Sequence, residues 1–102
     1  MSTPTQTITL KSANKSSRVT IDKIGIDKFE LAVTTKLNSS NEYAAPTRVR
    51  NGYTSAQDAL QDAIYRFTKD GSTIQDATNE ISDLLTTKEV SSIVGLASIS
   101  EC

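Results

Sequence analysis

Residues 72–96, "STIQDATNEISDLLTTKEVSSIVGL", decide how this chain is read. Ser72 with Gln75 three residues on has the form of a helix-capping box, and so does Thr86 with Glu89. Behind the first cap, Ile74, Ala77, Ile81, Leu84 and Leu85 fall at helical spacing. Behind the second stand Val90, Ile93, Val94 and Ala97, with Gly95 weakening the end. The spacing predicts two helices, about 73–85 and 87–96, with almost nothing between them. Helices joined so tightly must bend, so they are expected to lie over a surface, in this subunit or in a partner.

That surface is visible upstream. "QTITL" (6–10) and "RVTID" (18–22) alternate in the strand period around the polar turn "KSANKSS", which predicts an N-terminal hairpin. "FELAVTTKL" (29–37) alternates most clearly. After the loop-like "NSSNEYAAP", in which Pro46 suits the entry of an edge strand, "TRVRN" (47–51) alternates again. One expected sheet face collects Val19, Ile21, Phe29, Leu31, Val33 and Val49. The other collects Arg18, Thr20, Thr34, Lys36, Arg48 and Arg50, with Asp22 and Glu30 as its acids. An antiparallel sheet covered on one side shows this division.

Between strands and helices, residues 54–68 admit two readings. Ala56, Ala59, Leu60, Ala63, Ile64 and Phe67 keep helical spacing, Thr54 and Gln57 can form a capping box, and Gly71 can end the segment. "AIYRFT" also suits a strand, because aromatic and branched residues favour sheets. Periodicity favours the helix. The expected fold is therefore α+β: an antiparallel sheet with an N-terminal hairpin, strand-rich over 5–51, then two C-terminal helices covering one sheet face, all in a single domain over 1–102.

Composition narrows the chemistry. The 102 residues include no His and one Cys, Cys102, so Ser-His and Cys-His nucleophiles, His-bearing zinc sites and an intrachain disulfide are all excluded. No catalytic residues, metal ligands or cofactor are expected. Asp58 and Asp62 lie one helical turn apart if 54–68 is helical, but carboxylates so placed ordinarily belong to a solvated face. "KDGST" (69–73) puts Gly before an expected helix start, without the rest of a phosphate-loop signature. With 36% hydrophobic residues the core is expected to be thin, which predicts an obligate oligomer. No apolar run approaches a membrane span and "MSTPTQT" lacks the regions of a signal peptide, so a soluble protein made in a reducing compartment is expected.

Charge is uneven. Residues 1–50 carry eight Lys or Arg against four acids, while 51–102 carry three against eight. Such asymmetry hints at a nucleic-acid or membrane face, with a solvated surface as the plain alternative.

Strands, then a capped helix ending in "DLL", a Thr-rich break and a final apolar segment resemble the coat proteins of single-stranded RNA bacteriophages. "AIYRFTKDGST" running into "IQDATNEISDLLTTKEVSSIVGL" carries most of the resemblance. "TITLKSANKSSRVTI" is similar to the family's N-terminal hairpin and "FELAVTTKL" to a central strand. The resemblance implies an intertwined dimer whose sheet continues across both subunits, with each subunit's helices over its partner's sheet. It implies dimers closing into an icosahedral shell, a virion component assembled in the bacterial cytoplasm, and RNA on the inner sheet face at Arg18, Thr20, Thr34, Lys36, Arg48 and Arg50. In contrast to the family, the chain is short and 55–67 is patterned as a helix where a strand is needed. Taking that helix at face value gives the alternative, a small phage-type α+β binding module: an inhibitor or a protein that sequesters a nucleotide or other ligand.

Overall fold

The computed structural model describes residues 4–39, 42, 47–95 and 100–101. The strands are β1 (Thr5–Lys11), β2 (Lys15–Gly25), β3 (Lys28–Leu37) and β4 (Thr47–Tyr53). Helix α1 (Ala56–Thr68), strand β5 (Asp76–Ser82), helix α2 (Thr87–Val94) and the two-residue β6 (Ser100–Glu101) follow. The sheet order is β4-β3-β2-β1-β5-β6. Neighbours from β4 to β5 are antiparallel, and β6 runs parallel to β5. The α+β architecture with its N-terminal hairpin and two helices stands as expected, and so does the last helix, but the first helix comes from 56–68 and not from 73–85.

Of the segment 54–68, Ala56–Thr68 forms the first helix. Its cap is one residue later than expected: the Ser55 hydroxyl accepts from the Asp58 N–H at 3.1 Å, and Thr54 donates instead to the Asp58 carboxylate at 3.0 Å. The predicted periodicity holds, with Ala56, Ala59, Leu60, Ala63 and Phe67 on the buried side. Three alanines in that stripe let the helix backbone approach β2 and β3 closely, while Leu60 and Phe67 fill the space between. Helix α1 thereby carries the chain across one sheet face, from β4 at one edge to β5 beyond β1.

The expected helix at 73–85 is a strand. Ala77 and Asn79 point inward opposite Leu10 and Ile8, and only Ala77 and Leu85 of the expected apolar stripe are buried. Ile81 is 45% exposed on the other face, opposite Thr7. A long-range amide network accounts for the outcome. Gln6 is fully buried; its Nε2 donates to the Asn79 side-chain Oδ1, and its Oε1 accepts from the Leu84 and Leu85 N–H groups at 3.1 and 2.8 Å. Asn79 donates in turn to Ser82 at 3.1 Å, and Ser82 to the Leu85 carbonyl. A buried polar group is tolerated when it is bonded, and this network closes only if 76–82 extends along β1.

The second capping box forms as read: Thr86 accepts from the Glu89 N–H, Glu89 accepts from the Thr86 N–H, and Gly95 closes the helix in the left-handed conformation at φ 86°. Helix α2 packs on β5 and α1. The described core joins Ile8, Leu10, Val19, Ile21 and Leu31 to the α1 stripe, Ala77, Leu85 and Val90. Pro46, Tyr43, Leu96, Ala97 and Cys102 lie outside the described residues.

Candidate nucleic-acid interface

The sheet face away from the helices is laid out in transverse rows fixed by strand register. One row reads Asp76, Lys11, Ser16, Lys36; the next Thr78, Thr9, Arg18, Thr34. Then come Ile81, Thr7, Thr20, Ala32, Arg48, and last Thr5, Asp22, Glu30, Asn51. Adjacent strands lie about 4.8 Å apart, so residues in one row are immediate neighbours.

Five of the six expected residues reach this face. Arg18 and Arg48 are exposed, Thr20 and Lys36 are half-buried, and Thr34 is buried at 8% exposure between its neighbours. Arg50 does not reach it. Ala32 pairs with Arg48 and Leu31 with Arg50, so Val49 is an extra residue in a β-bulge. An inserted residue reverses the alternation. Arg50 therefore sits with the helix-side residues, its guanidinium 5.1 Å from the centre of the Tyr53 ring.

That helix-side corner is polar in its own right. Burial, a hydrogen bond donated to Asp62 and the Asp62 charge push the Tyr53 hydroxyl up to about 12. Burial works against ionised Asp62, but bonds from Tyr53 and Arg66, aided by the charges of Arg66 and Arg50, hold its carboxyl below the usual range. The bonds join β4 to the outer side of α1.

On the open face, charge is concentrated rather than uniform. At one end Arg48 lies 3.3 Å from Glu30, and Asp22 accepts from Thr5 at 2.7 Å. At the other end a hollow of about 480 Å³ opens beside the β1–β2 turn, lined in part by Lys11, Arg18 and Lys36 around Thr9 and Ser16. Glu80 also borders it, taking a hydrogen bond from Thr9, and Asn38 accepts from Ser16 at 2.9 Å. Lys11, Thr9, Ser16 and Glu80 were not among the expected site residues. Lys11 and Thr9 were within reach of the sequence, since they occupy the outward positions of the alternation that places Ile8 and Leu10 inside. Glu80 was not, because it is the extra residue of a second bulge, between the pairs Thr7–Ile81 and Ile8–Asn79.

Chemically, this end of the face offers three cations spread over three adjacent strands, above a bed of hydroxyls and an amide. It can hold the phosphates of an extended polyanion and offer hydrogen bonds to sugars or base edges. Among the described residues, no helix is long and apolar enough to cross a membrane. No protein-family model, curated protein or solved structure matches this chain.

Proposed function

We propose that this chain is a self-associating shell subunit that holds single-stranded RNA against its open sheet face, as the likeness to RNA-phage coat proteins implies. The supporting observation is the hollow at Lys11, Arg18 and Lys36, on a face left open by helices that gather on the other side. Phosphate attraction would supply affinity there without sequence, and Thr20 and Asn38, less buried than Thr9 and Thr34, are the candidates for hydrogen bonds to bases. Arg48, paired with Glu30, lies on the same face toward β4. Arg50 is left out of the interface.

The likeness is partial. Of residues 63–96, which carry it, the described part up to 95 runs as helix end, strand and helix, whereas the family order is a strand followed by two helices. The same fact favours the second reading, a small α+β binding module: α1 closes the core over its own sheet without a partner. The two readings differ in particle size. A shell elutes in the void volume and appears as spheres in negative stain, and a module elutes as a small oligomer.

The experiment is nucleic acid co-purifying with the protein, followed as the 260/280 nm absorbance ratio. Wild type is expected to carry RNA, and the Arg18→Ala/Lys36→Ala pair to carry less. RNA affinity should fall steeply with salt, by a log–log slope of about −0.7 per neutralised phosphate on a single strand. The pair should flatten that slope by about 0.7 for each lost contact. Wild type without RNA, or a pair that carries as much as wild type, overturns the assignment of this face.

A further inference from the structure

Two isoleucines crown the β2–β3 hairpin. Ile26 is 92% exposed and Ile24 is 45% exposed. Ile26 and Asp27 form the two-residue turn between the paired Gly25 and Lys28, with Asp27 at φ 51°. Turn positions ordinarily take polar residues, and an isoleucine this exposed adds almost no burial to the monomer's own core. Lys23 and Lys28 flank it, both exposed.

Immediately beside the tip lies a hollow of about 400 Å³, between the starts of the two helices. Phe29, Leu84 and Leu85 give it an apolar lining. Asp27, Asp83 and Glu89 line it with carboxylates, against the single cation Lys23. Hydrogen bonds from the Thr86 backbone N–H and hydroxyl hold Glu89 below the usual carboxylate range, so its charge persists at neutral pH.

We propose that this end of the molecule is a two-fold contact between copies of the chain, with the Ile24–Ile26 tip of each seated in the hollow of the other. Tip and hollow are complementary twice over: apolar side chains meet an apolar lining, and Lys28 meets a net negative rim. Because both lie at one end of one chain, a two-fold axis satisfies both at once and closes the contact. A membrane fits less well, since an anionic bilayer would bring its headgroups against Asp83 and Glu89. The contact is distinct from the RNA face and involves none of its residues.

Sedimentation equilibrium on the full chain tests it, comparing wild type with Ile26→Ser, Lys28→Asp, Asp83→Lys and the Lys28→Asp/Asp83→Lys pair. The substituted side chains are exposed, so circular dichroism and melting should match wild type. Wild type is expected to self-associate. Each single change should weaken association about tenfold or more, and the pair should recover most of the loss by restoring opposite charges across the contact. Loss of association with RNA binding retained would separate this contact from the shell-and-RNA reading. A monomeric wild type, an Ile26→Ser variant that associates as wild type does, or a pair no better than its parents overturns the contact. So does flotation of a monomeric wild type with phosphatidylcholine vesicles, which would assign the tip to lipid.

Discussion

On β1, Ile8 and Leu10 face the helices while Thr7 and Thr9, one residue away, face outward, yet all four are buried. The two sides of the sheet therefore differ less in accessibility than in what fills them. The covered side is packed by α1 and α2. The open side is packed by its own rows, threonine against threonine across strands, with Thr5 bonded to Asp22 and Thr9 to Glu80. Threonine keeps the branched shape that suits a pleated strand and replaces one methyl with a hydroxyl. A sheet face can thus be close-packed and still be chemically a surface. Such a face is firm enough to hold groups in register and polar enough to meet a polyanion.

Truncation should separate the two sides most. Ile8→Ala, in the covered core, should cost ~2–5 kcal/mol in a denaturant melt. The matched open-side change Thr20→Ala should stay within about 0.5 kcal/mol. Equal losses at both positions would show that the open side is a second core.

A smaller effect is expected where the covered side turns polar. Gln6→Ala leaves Asn79 and the Leu84 and Leu85 N–H groups without their partner, which should cost ~1–3 kcal/mol. Hydrogen exchange should quicken at Leu84 and Leu85 before it does in β2 or β3. If exchange rises evenly everywhere, the network is not what holds β5 in place.

The smallest effect tests which side each arginine occupies. Tyr53 stays protonated until pH approaches about 12. A raised acid pKa favours the neutral form in the folded state, so the stability it adds is complete below the ordinary value near 10 and is lost as pH rises through about 12. Arg50 opposes that shift, so Arg50→Gln should move the phenolate absorbance near 295 nm to still higher pH, while Arg48→Gln should leave it in place. The reverse result would return Arg50 to the open face.

Much of this was legible in the residues. The alternation of 6–10, 18–22 and 29–37 marks both faces of three strands without outside help. Helical spacing over 56–67 outweighs the strand-like "AIYRFT", and Thr86 with Glu89 marks its helix directly. Residues 73–85 mislead for a physical reason. The inward positions of β5 include Asn79, a polar residue whose burial makes sense only beside Gln6, 73 residues away. Without that partner, Ile74, Ala77, Ile81 and Leu84 fit a helix better than a strand. Bulges supply the other misreadings. One extra residue at Val49 and another at Glu80 reverse the alternation, moving Arg50 off the open face and Ile81 onto it. Nothing in the local pattern announces either insertion, because a bulge is settled by how two strands meet.

Strand β1 sits inside the sheet, between β2 and β5. Its first neighbour follows a short turn, but its second comes only after two more strands and a helix have been made. While the chain is being synthesised, the far edge of β1 therefore waits with its N–H and C=O groups unpaired, beside Ile8 and Leu10. An unsatisfied edge of that kind recruits other chains. Folding should be slowed by the long closure needed to bring residues 76–82 back. At high rates of production, chains arrested before residue 76 should be the ones that aggregate, and the threonines and Lys11 along that strand are what temper its appetite for a wrong partner.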